Sequence, residues 1–404
     1  MPATSANRVI IVGAGPVGLV CALSLASRDI PVLVLEANDD LFMDLRAGSF
    51  HPPSLEVLEP IGVTARLLEL GIAVHRWQWR DRSEGVIGTF ELGLLSDETA
   101  YPYRLHLEQH KLTPLLMDML RPIPHATVMF SRRVTGVTQD GERIRVRADG
   151  PDGPETHDGG WVIGCDGGGS IVRKAAGIEF TGFTYPERFA LISTPYDLGQ
   201  HGFSDTAYIS HPVEWCAVFR LPHEGPPGMW RFLYGCRPDQ SEEIELSEEV
   251  VEERLQSVLP RPQRYETIHK TIYRVHQRVA ETFRNGRMLL AGDAAHLNNP
   301  IGGFGLNSGV QDAMNLTDKL VSVIRGDADE SVLDRYVRQR RTVTIENIQE
   351  QSIRNKRLLE ETDPVVRRER LEDMRSASAD PKRAKDIVMR SSMIASMRRA
   401  DAIA

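Results

Sequence analysis

Arg8–Gly13 reads Arg-Val-Ile-Ile-Val-Gly, an unbroken apolar and β-branched run. A strand apolar on both faces belongs inside a parallel sheet. Gly15 to Arg28 then follows helical spacing, with Leu19, Leu23 and Ala26 near one face. Pro31–Glu36 is a second buried strand, so the chain opens on a βαβ unit. Ser54–Gly71 has helical spacing broken near Pro60, and Gln109–Leu120 predicts another helix. Ala126–Phe130, Val134–Gln139 and Ile144–Ala148 alternate as a meander, with a turn at Asp140-Gly141. Trp161–Gly164 is a short apolar strand leading to Asp166-Gly167.

The pattern then changes. Phe189–Pro195, Thr206–His211, Glu214–Leu221 and Met229–Arg237 are strand-like and aromatic, divided by turn clusters such as Pro222–Gly228. Glu242–Leu259 predicts a charged helix and Ile268–Val275 a further strand. Consecutive antiparallel strands predict a separate β-rich layer. At Met288–Ala291 the buried strand, glycine loop and helix recur, the helix running from about Asn307 to Arg325. The tail from Ser331 is helical and charged. The expected fold class is α/β: a Rossmann-like domain interrupted by a β-sheet domain, with a helical C-terminus. The expected division is 1–74, 100–183 and 285–345 for the nucleotide-binding part. Residues 75–99 and 184–284 form the sheet domain, and 346–404 the helical segment.

Composition sharpens this picture. The 404 residues are 41% hydrophobic and 26% charged, enough to bury a large core without disulfide or metal staples. Lys and Arg number 48 against 56 Asp and Glu, a formal charge of −8. That balance argues against nucleic acid as the main partner, because phosphate binding needs a basic surface. Cys21, Cys165, Cys216 and Cys236 form no C-x-x-C pair and sit among apolar residues. They read as reduced, buried thiols of a cytoplasmic protein. No signal peptide and no run of about 20 apolar residues is seen, so no membrane span is expected. No metal site is expected from the twelve scattered histidines.

Three motifs carry chemistry. Gly13-Ala14-Gly15-Pro16-Val17-Gly18 follows a strand, opens a helix and precedes a strand ending in Glu36-Ala37. Its glycines give a tight turn, a close approach for a pyrophosphate and close helix packing. The helix N-terminus supplies free N–H groups, and Glu36 suits a ribose 2′-OH. Gly292-Asp293 sits at the carboxyl end of a second strand and is followed by Pro300-Ile301-Gly302-Gly303-Phe304-Gly305-Leu306-Asn307. A carboxylate there suits sugar hydroxyls, and a helix N-terminus there favours negative charge on a flat ring. Cys165-Asp166-Gly167 ends a third apolar strand.

Together these motifs resemble the three fingerprints of the class A flavoprotein monooxygenases, which share the para-hydroxybenzoate hydroxylase fold. Arg46–Gly62 and Gly177–Thr194 resemble the branch of 3-(3-hydroxyphenyl)propionate hydroxylase and the polyprenyl-methoxyphenol hydroxylases. Longer members of that branch carry a thioredoxin-like C-terminal domain, which is not seen here. The resemblance implies a Rossmann-like FAD-binding domain with an inserted substrate domain. It implies FAD bound by Gly13, Gly15, Pro16, Val17, Gly18, Glu36 and Ala37 at the ADP half, and by Val134 near the adenine. Arg46, Gln109, Gly292 and Asp293 would serve the flavin and ribityl side. Pro300, Gly303, Phe304, Gly305, Leu306 and Asn307 would lie against the ring, and Asp166 would serve FAD and the nicotinamide. By the same resemblance, NADH or NADPH would reduce the flavin, O2 would add to give a C4a-hydroperoxide, and one oxygen would pass to an electron-rich ring.

The expected substrate is a small aromatic or heteroaromatic, phenolic ring. Trp215 and Phe219 alternate onto one face of a strand, and Trp230 and Phe232 onto one face of the next, as candidate pocket walls. Arg46, Pro300, Tyr208 and His211 are candidates for catalysis, with His51 and His106 also considered as bases. His296 reads as positional. A halogenase of similar fold needs W-x-W-x-I-P, but Trp77-Gln78-Trp79 runs on to Arg80-Asp81-Arg82. A flavin dehydrogenase that never activates oxygen and a non-catalytic flavoprotein also fit the three motifs. Monomer and homodimer are both open.

Overall fold

The computed structural model describes residues 7–43, 47–225 and 227–404. Arg46 therefore lies outside the described residues. The apolar runs form a six-stranded sheet in the order Arg284–Asn285, Met288–Leu290, Trp161–Gly164, Val9–Val12, Val32–Leu35, Ala126–Met129. Every pairing but the first is parallel. Val9, Ile10 and Ile11 are fully buried, which is why the run carries no polar alternation. The helices Pro16–Ala26 and Phe304–Arg325 pack against each other, joined by Ser24 Oγ and Thr317 Oγ1 at 2.7 Å.

The meander differs from expectation. Ala126–Met129 joins the parallel sheet beside Val32–Leu35. Arg133–Asp140 and Arg143–Gly150 are completed instead by Gly153–Gly159, whose polar sequence gave no strand signal. It pairs along Arg143–Gly150, where Asp158 also meets Arg145 at 3.2 Å across the strands. The expected helix over 242–259 is two, Glu242–Glu245 and Glu248–Val258, because Ser247 caps the second by accepting from Val250 N–H.

The second sheet has eight strands: His296–Leu297, His269–Ala280, Phe180–Thr194, Met229–Gly235, Cys216–Leu221, Thr206–Ser210, Arg76–Asp81 and Gly85–Glu91. The boundary expected at 183/184 falls inside the strand Phe180–Thr194. His296–Leu297, expected in the nucleotide-binding part, is an edge strand of this sheet. One face, with Phe189, Trp215, Leu233, Trp77 and Tyr208, packs under Leu371, Val388 and Ile394 of the C-terminal helices. The other face, with Trp230, Phe232 and Tyr234, packs on Val251 and Leu255. Met393 buries against Phe304 and Ile348, so the Met389–Met397 segment covers the core. No helix among the described residues is long and apolar enough to cross a membrane.

A buried charge cluster locks the two halves of the parallel-sheet unit. Asp312, fully buried on the helix Phe304–Arg325, meets His296 Nε2 at 2.6 Å and Arg340 Nε at 2.7 Å. It also accepts from Gly292 N–H at 3.2 Å. Burial pushes its carboxyl up, but the His296 and Arg340 charges outweigh this and hold it below the usual range. Removing one partner of such a group is costly, because a buried charge is left uncompensated. Arg340→Leu is expected to destabilise the protein by about 3–5 kcal/mol in urea unfolding. A loss under about 1 kcal/mol would show that the cluster contributes little.

Candidate active site

The glycine turn closes tightly on the neighbouring strand end. Gly13 has φ +102°, and a Cβ there would lie 2.5 Å from Cys165 O. At Gly18 a Cβ would lie 2.0 Å from Gly13 O. Gly15 is the opposite case: nothing lies within 4 Å of its Cβ position. The helix Pro16–Ala26 starts there with no side-chain cap, so its first-turn N–H groups and positive end stay available to an anion. Glu36 accepts from Ala14 N–H at 2.7 Å and from Asn38 N–H at 2.9 Å, which pins its carboxylate beside the turn. Ala37 is half-buried beside it. Val134 lies two residues past Arg132, whose N–H donates to Glu36 O at 2.7 Å.

The second motif faces the first. Gly292 has φ +61°, and a Cβ there would sit 2.9 Å from Val17 Cγ2. Asp293 follows in a single 3-10 turn, with its side chain exposed in a cavity of about 420 Å³. Gly15, Pro16, Val17, Gln109 and Gly167 line the cavity as well. Pro300, Gly303, Gly305 and Leu306 form one side. The helix begins at Phe304, three residues earlier than expected, with Gly303 at φ +71° as its N-cap. Its uncapped N-terminus therefore lies at the cavity. Leu191, Phe219, Leu221, Leu233 and Tyr273 of the eight-stranded sheet form the facing wall. Arg231 also lines it, donating to Glu108 at 2.5 Å and to Ser193 Oγ at 3.0 Å.

Several expected contacts fall elsewhere. Trp230 and Phe232 point to the opposite face of their strand, because strand side chains alternate and Arg231 and Leu233 take the cavity side. Trp215 packs on Phe189 in the core, with ring centroids 5.2 Å apart, and does not line the cavity. Phe304 is turned into the core against His51. The Asn307 side chain staples the loop, accepting from His51 N–H at 2.7 Å and donating to Ser49 O and Gly303 O. Asp166 does not line the cavity either. Its carboxylate accepts from Ser170 Oγ at 2.5 Å and Ile171 N–H at 2.6 Å, capping a short helix.

The histidine candidates are structural. His51 is fully buried and donates from Nε2 to Gly302 O at 2.8 Å; burial and the Arg104 charge keep its imidazole neutral. His106 donates from Nδ1 to Arg220 O at 2.7 Å, and burial pushes it down to about 4. His211 accepts from Glu214 N–H at 2.9 Å in a turn away from the cavity. Tyr208 lines a different cavity. His106 and His110 have the spacing of a ligand pair, but one stands on a strand and the next on a helix. Among the described residues no His, Cys, Asp or Glu group is arranged to hold a metal ion. Sequence reasoning missed Arg173, which is buried and donates to Ala294 O at 2.8 Å and Gly168 O at 2.6 Å. It ties the Asp166 turn to the Asp293 turn. A lone Arg inside a five-residue helix gives no sequence signal of this.

The residues fit an FAD: an open approach at Gly15, a hydroxyl-accepting carboxylate at Glu36, a second at Asp293, and a helix end at the ring side. Gly15→Val should fold normally, since its side chain meets open space, yet lose roughly tenfold or more in FAD affinity. A dialysed variant retaining stoichiometric flavin would contradict this. His106 is protonated in the unfolded chain well above its folded value, so stability is full above about pH 6.5. It should fall by about 1.4 kcal/mol per unit toward pH 4. His106→Gln should reduce the acid-side slope by about 1.4 kcal/mol per unit, His51 still contributing its own, and an unchanged slope would contradict the assignment.

Comparison with known proteins completes the picture. Residues 6–351 match the FAD binding domain family. Para-nitrophenol 4-monooxygenase of Pseudomonas sp. strain WBC-3 is 34% identical, over 89% of both chains. 6-Hydroxy-3-succinoylpyridine 3-monooxygenase of Pseudomonas putida is 33% identical, over 94% of this chain and 96% of that one. The crystal structure of p-nitrophenol 4-monooxygenase from Pseudomonas putida DLL-E4 superposes with a TM-score of 0.90 at 32% identity, covering 97% and 98% of the two chains. With this family match and these relatives, the chain belongs to the FAD-dependent class A aromatic monooxygenases.

Proposed function

We propose that this enzyme hydroxylates a para-substituted phenol, or its hydroxypyridine analogue, at the carbon bearing the substituent. The observation that carries the reading is the facing of two surfaces across one cavity. Pro300, Gly303, Gly305 and Leu306 offer backbone and a helix N-terminus, and Leu191, Phe219, Leu233 and Tyr273 offer a ring-sized apolar wall. Two relatives matched along nearly their whole length support the position of attack. In both names the oxygenated carbon is the one carrying the nitro or succinoyl group, para to the ring hydroxyl.

FAD, once reduced by NADH or NADPH, supplies the activated oxygen. The chain's residues do the rest. Gly15 and the first helix hold the pyrophosphate, and Asp293 takes hydroxyls of the cofactor chain. The N-terminus at Phe304 stabilises negative charge on the ring system. Arg274 places positive charge at the cavity, favouring a phenolate over a phenol, while the charge of Arg231 is met by Glu108. Apolar Leu191, Phe219 and Leu233 exclude water from the reacting carbon.

The balance is simple. The nicotinamide gives two electrons as hydride. One atom of O2 joins the ring carbon and the second leaves as water. The substituent departs with its bonding pair, the protons of both hydroxyl groups are lost, and a para-quinone remains.

The test is a panel of para-nitro, para-halo and para-acyl phenols and the corresponding hydroxypyridines, each compared with its unsubstituted parent. The expected result is ligand-stimulated NAD(P)H oxidation, with one displaced substituent per quinone. Hydroxylation only at unsubstituted carbons would overturn the position of attack while leaving the reaction class intact.

A further inference from the structure

A second cavity of about 270 Å³ lies where the C-terminal helices cross the eight-stranded sheet. It is separate from the first, and Tyr208 stands at the partition. Tyr208 lines the second cavity, and its ring lies 6.2 Å from Phe219, which lines the first. Trp77 and Trp79 complete an aromatic floor, with ring centroids 5.8 and 6.1 Å from Tyr208. Leu358, Met374 and Ile387 supply the roof.

The charge in this cavity is unbalanced. Arg104 is only 3% exposed, yet no carboxylate among the described residues pairs with it. One amino group donates to Ser391 O at 3.1 Å, and Nε makes no hydrogen bond. Trp77 Nε1, also buried at the cavity, makes none. Buried guanidinium groups ordinarily have an anion beside them, because an isolated buried charge is costly. Arg354 and Arg390, both exposed at the mouth, have no ion pair among the described residues either. Of the carboxylates lining the cavity, Asp373 is held by Arg383 at 2.5 Å, and Asp386 lies exposed at the rim. Four guanidinium groups thus face two carboxylates.

We infer that this cavity is a second ligand site, taking a small aromatic carboxylate with its ring on Trp77, Trp79 and Tyr208 and its carboxylate toward Arg104. Arg354 and Arg390 draw the anion in. Arg pairs with carboxylates bidentately, and aromatic faces suit a flat ring. The volume is at the small end for ligand pockets and fits one ring. The site backs directly onto the catalytic loop. Gly302 lines it, and Asn355, also in its lining, donates to Ile301 O at 3.3 Å. An occupant therefore touches the rear of the loop whose front, at Pro300 and Gly303, faces the first cavity.

The experiment uses the holoenzyme, with benzoate as probe and neutral benzamide as its control, followed by calorimetry and tryptophan fluorescence. Benzoate is expected to bind at one site at least tenfold more tightly than benzamide. The double variant Arg354→Gln, Arg390→Gln changes only exposed side chains, and it should weaken benzoate at least tenfold with flavin content unchanged. Leu358→Trp, which fills the cavity, should abolish binding. A phenol that supports turnover should not displace benzoate. Absence of binding, equal affinity for benzamide, indifference to both variants, or one-for-one displacement by the phenol would each overturn the proposal. The last outcome would place benzoate in the catalytic cavity and leave the hydroxylase reading standing.

Discussion

The geometry of the cavity depends on one buried carboxylate. Asp312 holds the Gly292 turn, His296 and Arg340 at once, so its own helix, the turn and the helix Val332–Val343 share a single anchor. The glycines around it follow from that closeness. Gly309 allows the helix within reach of Val17, and Gly292 allows the turn over the same side chain. With these fixed, Asp293 can only face the cavity. Arg173 then locks the third turn to the same place through two carbonyls.

Much of the parallel-sheet unit was legible because its strands are buried on both faces. A run such as Val-Ile-Ile-Val has no other stable home. The first two motifs were legible for a related reason: several of their glycines mark a backbone approach with no room for a side chain, while Gly15 opens space for a ligand. Gly13, Gly18 and Gly292 all have backbone or side-chain atoms where a Cβ would stand.

What stayed hidden is what the sequence does not encode locally. The strand Gly153–Gly159 exists because its neighbour offers an edge, not because its residues prefer extension. The aromatic stripes at Trp215–Phe219 and Trp230–Phe232 follow one pattern, yet only Phe219 reaches the cavity. Period two places Trp230 and Phe232 together, but it cannot say which face meets the flavin side. Asp166, Phe304 and Asn307 sit in the right turns with their side chains turned inward, so the backbone around them does the facing. The C-terminal helices are legible as helices, but not their packing: they roof one face of the sheet and close a second cavity.

A hydroxylase in which flavin and ring meet in the first cavity passes an atom of O2 between them. Turnover of the holoenzyme under ¹⁸O2, with mass analysis of the product, tests it most directly. One labelled oxygen is expected in each product molecule, with the label absent when only the water is enriched. Nicotinamide oxidation that yields hydrogen peroxide and leaves every aromatic ligand unoxygenated would contradict it.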